Sequence, residues 1–596
     1  MPNFLLIDHG LAEVGGHNYQ YAVDILTAAQ DCGYRPVLAL RRQFSQNAAV
    51  PPAWRVFRVF RFGPKHAFSA GVDGKSRRGI GLDGRWLDPA NVAWTARILD
   101  VARRADRRRR LQDFESACAA VFSEIGFHAE DIALLSTITD FDLLGLVRFL
   151  KANPHSGLLD WHVQMHFDIF AGREPDHACQ SAKRDLLRGQ LSNALAQIPA
   201  HRLHFYCTTD ELCRQYNRLE VGTFQTLPYP ARLAPHHTTA PRRAAPRPLR
   251  VALAGGTRRE KGKRQLCQLI QSLWDEFLTR GQVQLWLQIN PEALRRQLAK
   301  ETVAATHVTG NVCEETDAPI VAVKHPLPSG DYDELIRRSD VGLFIYDSQR
   351  YQSRCSGVLV EMLSAGVPVI VPAGCWLSEQ IADAGYEHLD RLQGQGNALQ
   401  QVEVPRSQWR KGDSEWPGGT SPDAVACGPA GEPAVTEVPV PAGAAQVLVS
   451  FGWGSENPPG AYLRVETSNP EHAASDGPVS SAAIVGPRHA PGAVHVLAAL
   501  EPTQTVVRLR LQNAYHQMPL YVREVQLAFF AAPAGQKGYP LGQVGLSVAE
   551  PSLVVAAVRE MLAHRQHYQQ SAREFSLPWN LAHAPSRSVE ILRANR

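Results

Sequence analysis

The stretch Arg354-Cys-Ser-Gly-Val-Leu-Val-Glu361-Met-Leu-Ser-Ala-Gly366-Val-Pro368-Val-Ile-Val-Pro-Ala-Gly374 decides the fold. It reads as a loop, a helix, a tight turn and a buried strand. Ser356 and Gly357 open the helix, so its unpaired backbone N–H groups face whatever lies before it. A helix start with glycine at the point of approach suits a phosphate. Glu361 stands four residues after Gly357, about one turn in, and can face the same ligand. Gly366 ends the helix and Pro368 begins the next segment. A phosphate at the helix start and a hydroxyl on the carboxylate together suggest a nucleotide-sugar.

Upstream, Leu249–Ala254 is a strand followed by Gly-Gly-Thr-Arg-Arg-Glu-Lys-Gly at 255–262 and a helix over Arg264–Leu273. Paired glycines and three cations after a strand suit a diphosphate: the glycines admit it to the backbone, and Arg and Lys supply donors. The loop lacks the GxxxxGK[ST] of a Walker motif. Further strands are expected at Gln282–Ile289, Pro319–Lys324 and Val341–Tyr346, with helices over Tyr332–Ser339 and near Leu377–Ala384. This is a βαβ system.

A second such system opens the chain. Asn3–Asp8 is an apolar strand, and His9–His17 is a loop holding Gly10, Gly15 and Gly16. Asn18 is a candidate cap for a helix over Tyr19–Asp31, and Arg35–Ala39 is the next strand. Ligands bind beyond the carboxyl ends of such strands, so Gly15 and Gly16 are candidate ligand contacts, although a plain tight turn reads the same way. Ile132–Ser136, Trp161–Asp168 and Arg202–Asp210 also begin as strands. His162 and His166 point to the same side of an extended segment. A structural role fits His162, and a strand-end position facing the crevice fits His166. No third ligand is evident for a metal. The run RRADRRRR at 103–110 fits a solvated helix face, with attraction to a membrane surface as the alternative.

Pro235–Pro248, rich in Pro, Arg, His, Thr and Ala, reads as a linker. After about Leu392, Pro and Gly become frequent and alternation replaces helical periodicity. Segments such as Val447–Trp453, Tyr462–Glu466 and Thr505–Leu511 indicate a β-sandwich. Helical texture returns at Pro551, so the sandwich is an insertion. Trp409, Trp416, Trp453 and Tyr515 are available to stack on sugars, unless they form its core.

The 596 residues are enough for several domains. A net charge of +4 is too small to argue for nucleic acid. The ten Cys show no CxxC pair, which points to free thiols in a reducing compartment. Met1–Leu6 has no signal-peptide pattern and no apolar run has membrane-spanning length, so a cytoplasmic protein is expected.

These residues resemble the retaining GT-B glycosyltransferases of the "glycosyl transferases group 1" type. GGTRREKG at 255–262, the stretch 351–374, and a tail with Tyr568, Ala572, Phe575, Trp579 and Asn580 carry the resemblance. It covers 249–390 and 541–596 well and 1–230 loosely, and it omits the insert. It implies an α/β fold of two Rossmann-like domains with an all-β sandwich inserted in the second. The expected boundaries are an acceptor domain at 1–234, a linker at 235–248, a donor-binding domain at 249–392 and 541–596, and the sandwich at 393–540. By resemblance, Arg258 and Lys261 hold the donor diphosphate, assisted by Ser356, Gly357 and Val358. Glu361 holds the ribose hydroxyls, Gly15 and Gly16 line the crevice, and His166 stands near the reacting sugar. The implied activity is hexosyltransferase-like and metal-independent. The nucleotide-sugar is a substrate, so no cofactor is implied. The partners are a donor and a glycan or lipid-linked acceptor, as in polysaccharide biosynthesis, with peripheral contact at the inner face of the membrane as an option and no nucleic acid.

One position departs from the family pattern. Glu-x7-Glu would place its first Glu at 353, where this chain has Ser353, which offers one hydroxyl and no charge. Some related sequences carry Tyr-x-x-Arg-x-Ser-Gly instead, here Tyr351, Arg354, Ser356 and Gly357, which makes Arg354 a further donor candidate. Two alternatives follow: a non-catalytic carbohydrate-binding or scaffold protein on a degenerate GT-B fold, or another nucleotide-sugar enzyme such as an epimerase or a sugar-phosphate synthase.

Overall fold

The computed structural model describes residues 1–14, 16–44, 50–64, 89–170, 177, 180–231, 247–256, 258–298, 308–309, 318–323, 325, 327–372, 375–381, 397–411, 423–428, 433–457, 463–470, 481–485, 493–513, 519–531, 544–548 and 551–595. The expected linker, Gly15, Trp416 and Tyr515 lie wholly or mostly outside them.

The first parallel sheet is built from Asn3–Asp8 (β1), Arg35–Arg41 (β2), Arg55–Phe60 (β3), Ile132–Ile138 (β4), Asp160–Met165 (β5), Arg202–Cys207 (β6) and Phe224–Thr226 (β7). Their order is β3-β2-β1-β4-β5-β6-β7. Every residue of β1, β4 and β5 is buried; β1 and β4 read as mainly apolar runs, whereas β5 buries Asp160, His162 and Gln164 as well. The order reverses between β1 and β4, and a crevice opens there at the carboxyl ends. The first helix spans Gly16–Asp31, so Asn18 lies inside it rather than capping it.

The second sheet joins Leu249–Leu253 (β8), Val283–Gln288 (β9), Val308–Thr309 (β10), Ile320–Val323 (β11), Val341–Leu343 (β12) and Val369–Pro372 (β13), in the order β10-β11-β9-β8-β12-β13. A last parallel strand, Gly545–Val548, pairs with β13, Val369 facing Gly545. The chain therefore leaves this domain shortly after β13 and returns to the neighbouring sheet position, which makes the intervening sandwich an insertion between adjacent strands. The switch point lies between β8 and β12.

The sandwich has two antiparallel sheets. One centres on Ala444–Trp453 and Leu520–Ala531, the other on Ala434–Pro439, Val506–Asn513 and Leu463–Ser468. Val506–Asn513 buries every second residue through most of its length, the pattern of a strand with one face inward. Trp409 and Trp453 are part of this core, 4% and 8% exposed, and are not free to stack on a sugar.

Three C-terminal helices follow, Val554–Ala563, Arg565–Ala582 and Pro585–Ala594. Arg565–Ala582 runs along the helix Gly357–Ser364, with Trp579 Nε1 donating to Val360 O at 3.2 Å and Asn580 Nδ2 to Ser364 O at 3.1 Å. The helix Pro585–Ala594 crosses to the first domain and packs on Gly16–Asp31. Val589 and Leu592 are fully buried there, in the same core as Ile25. The segment 541–596, expected with the second domain, is thus shared between the two.

Among the described residues no helix is long and apolar enough to cross a membrane. The basic run lies in the 37-residue helix Pro89–Ile125. Arg107 sits over the Phe141 ring at 5.5 Å and Arg110 over Phe62 at 4.6 Å, so these two pack on the protein. Arg108 and Arg109 are exposed.

Candidate functional site in the interdomain crevice

The loop after β8 turns through two left-handed glycines, Gly255 with φ 88° and Gly256 with φ 67°. A Cβ on Gly255 would lie 2.6 Å from Val358 Cγ2, and one on Gly256 2.8 Å from the His325 ring. Glycine is required twice over there, for the backbone angle and for the close approach. The loop is thereby pressed against the start of the helix Gly357–Ser364. Gly262, at φ 80°, closes the turn against Ile345. Between these glycines Lys261 Nζ donates to Gly255 O at 3.2 Å and lies over the Tyr346 ring at 5.1 Å. Burial pushes its pKa down, Tyr351 pulls it back, Arg258 adds to the fall, and Glu361 and Glu260 oppose it. Arg258 and Arg259 are exposed.

Ser356 caps the helix, accepting from Leu359 N at 3.4 Å. Gly357 is the first helical residue, and a Cβ there would lie 2.9 Å from the Tyr229 ring of the first domain. Tyr229 therefore covers the side of the helix start. One turn further in, Glu361 Oε2 accepts from Tyr332 Oη at 2.5 Å. Burial raises the Glu361 pKa to about 7, the Tyr332 hydroxyl pulls it back, and the charges of Asp24 and Asp333 add to the rise. The helix ends at Gly366, φ 66°, with Val367 N donating to Met362 O at 2.9 Å.

From the first domain, His166 reaches the crevice just past the end of β5. The Ser136 carbonyl holds one ring nitrogen, and Nε2 has no partner among the described residues. Burial lowers its pKa to about 4, so the ring is neutral at pH 7. The protonated nitrogen is then the one on Ser136, which leaves Nε2 an acceptor. His162, by contrast, is wholly buried against Tyr206, its Nδ1 3.1 Å from the hydroxyl. Gly16 starts the first helix at the crevice mouth.

Two contacts tie the loop before the second-domain helix to the first domain. Arg354 Nε donates to Asp168 Oδ1, and Thr209 Oγ1 donates to Ser353 O at 2.6 Å. Ser353 is 1% exposed, and its hydroxyl has no hydrogen-bond partner among the described residues. Arg354, expected at the donor, is engaged instead in an ion pair across the domains. Sequence reasoning missed Tyr332, Tyr229, Asp168 and His325. A helical tyrosine before a strand carries no signal of its own, and the other three are placed by tertiary contacts alone.

Among the described residues no group of three His, Cys, Asp or Glu side chains is placed to hold a metal ion. A cavity of about 430 Å³, lined by His201, His204, Tyr206 and Asn595, lies at the edge of the first sheet, away from this crevice.

Two Rossmann-like domains face each other across the crevice, with a β-sandwich inserted in the second. Solved structures similar to this chain include WaaG, a glycosyltransferase involved in lipopolysaccharide biosynthesis, at 13% identity over 64% of this chain and 84% of that one, TM-score 0.35. They also include an α,α-trehalose 6-phosphate synthase from Burkholderia multivorans, at 12% identity over 64% and 86%, TM-score 0.38. A third is the lipopolysaccharide outer core galactosyltransferase WaaB in its apo form, at 12% over 63% and 81%, TM-score 0.34. No protein-family profile matches the chain, and no curated protein does.

Proposed function

We propose that the protein is a retaining glycosyltransferase that moves a sugar from a nucleoside diphosphate sugar to a glycan or lipid-linked acceptor. The observation that carries this reading is the joining of the Gly255–Gly262 loop to the start of the helix Gly357–Ser364. It sets Lys261, free helical N–H groups and Glu361 along one wall. In this reading Lys261 and Arg258 hold the diphosphate, and the backbone at Ser356, Gly357 and Val358 assists. Glu361 takes the ribose hydroxyls. Gly15 and Gly16 border the donor–acceptor crevice.

Negative charge develops on the leaving diphosphate as the glycosidic bond breaks. Fixed cations and N–H dipoles stabilise that state more than the ground state. The acceptor hydroxyl gives its proton to the leaving phosphate, which the retaining course requires to sit on the acceptor's face. His166, neutral with Nε2 open, accepts a hydrogen bond from a hydroxyl of the reacting sugar. Arg354 reaches the donor only by sharing or leaving Asp168. Closure of the domains excludes water and limits hydrolysis.

The test is turnover of a panel of UDP-, GDP- and ADP-sugars, with Lys261→Ala and Glu361→Ala alongside. Binding of a donor that both substitutions weaken supports the reading, and no binding by any donor sinks it. A second reading, a non-catalytic carbohydrate-binding protein, is favoured by Ser353, whose buried side chain puts no carboxylate at the sugar. Donor binding without transfer or hydrolysis would select it. A UDP-, GDP- or ADP-sugar bound but isomerised would select the epimerase alternative.

A further inference from the structure

We propose that Tyr332 is the positioning residue for Glu361, holding Oε2 so that Oε1 is presented to the ribose hydroxyls of the donor. The inference rests on the reading of Glu361 as the ribose ligand and asks what orients it. Tyr332 lies in the helix Ser329–Arg338, which precedes β12 in the chain, while Glu361 lies in the helix that follows it. Two separate helices thus bring one hydroxyl to one carboxylate. A carboxylate only accepts, so the hydroxyl is the donor. At 2.5 Å the contact is in the range of a charge-assisted O–H···O⁻ bond. Among the described residues no other group hydrogen-bonds Glu361, and Oε1 has no protein partner.

The other groups facing Glu361 make that single bond matter. Asp24 comes from the helix Gly16–Asp31 of the first domain and Asp333 from the Tyr332 helix, and both oppose ionisation. Lys261, from the glycine loop, favours it. Tyr229, Tyr346 and Cys355 face it as neutral groups whose own ionisation its charge suppresses. Two like charges and burial stand against one cation and one hydroxyl. Removing the hydroxyl frees the carboxyl to rotate and raises the pH at which it ionises.

The substitution Tyr332→Phe keeps the ring, and with it the packing. The probes are UDP, GDP and ADP beside their 2′-deoxy forms, bound to the full-length chain between pH 6 and 9. The wild type should prefer the ribose form of whichever diphosphate it binds, and Glu361→Gln should abolish that preference. Tyr332→Phe should weaken the ribose form about tenfold at pH 7, the size of one hydrogen bond to a charged group. Much of the loss should be recovered at pH 9. In the double variant with Glu361→Gln, the Tyr332 effect should vanish. A Tyr332→Phe protein that keeps the wild-type preference and pH profile overturns the proposal while leaving the ribose reading intact. A loss equal at every pH and persisting beside Glu361→Gln overturns it too, by assigning Tyr332 a merely structural role. A wild type indifferent to the 2′-hydroxyl, with Glu361→Gln inert, overturns the ribose reading itself and the proposal with it.

Discussion

The two Rossmann-like domains place corresponding loops at corresponding switch points and fill them with opposite chemistry. After β1, the turn at Asp8, His9 and Gly10 is tied inward. Gly10 N donates to Asp8 Oδ1 at 2.8 Å, and His9 Nε2 lies 3.1 Å from Asp142 Oδ2. Asp142 lies against it, and the neighbouring Asp140 is pushed up to about 6 by burial and by Asp142. After β8, the loop turns on left-handed glycines and offers Arg258, Arg259 and Lys261. One topology thus makes a half with buried carboxylates at its loop and a half with cations at its loop. The difference supports the proposed placement of the anionic donor on the second domain, on electrostatic grounds.

The largest expected break comes from Lys261→Ala. Loss of one buried cation facing the leaving group should lower kcat/KM by about a hundredfold or more, as measured by donor turnover. Next is the bridge between the halves. Arg354→Ala and Asp168→Ala should each raise the donor KM by about tenfold, and the double variant should be little worse than either. Such a shortfall in a double-mutant cycle marks a coupled pair. Full additivity would instead place Arg354 on the donor.

The third expected effect is on stability. Burial moves the Glu361 carboxyl from 4.5 to about 7, so the folded chain holds a proton there that the unfolded chain has lost. Stability therefore falls as pH rises through that window, and the deficit is complete above about 7. Glu361→Gln should raise Tm at pH 8 and leave it unchanged at pH 4, as read by calorimetry. The smallest effect on donor binding should come from the acidic half. Asp142→Ala removes the capping box with Thr139 and the His9 contact, and should cost about 1–2 kcal/mol of stability by denaturant titration. Donor affinity should stay within about a factor of two, since no phosphate site is touched.

Local rules made much of this legible. Gly255 and Gly256 announced a loop open to close approach at its backbone, Gly366 and Pro368 a helix end, and apolar runs such as Phe-Leu-Leu-Ile announced buried strands. The sandwich was legible from its alternation, and its insertion from the return of helical texture at Pro551. What escaped were pairings between distant segments. Arg354 with Asp168, Ser353 with Thr209, and Gly357 with Tyr229 each join the two domains, and nothing in the periodicity of either partner encodes the other. The same holds for the final helix, whose buried face fits either domain until Val589 and Leu592 are seen beside Ile25. Glu361 was legible as a residue, and its tether to Tyr332 was not.

The described chain leaves the first domain at Ala231, beside the point where the C-terminal helices return to it. His583 Nδ1 meets Tyr229 O at 2.7 Å, and Ala231 N donates to His583 O at 2.9 Å. A joint made of one strand of chain can swivel in any direction, whereas two strands laced together act like a door with two pins. Such a joint folds about one line and resists wringing. A rotation about that line would part Tyr229 from Gly357 and Asp168 from Arg354 together.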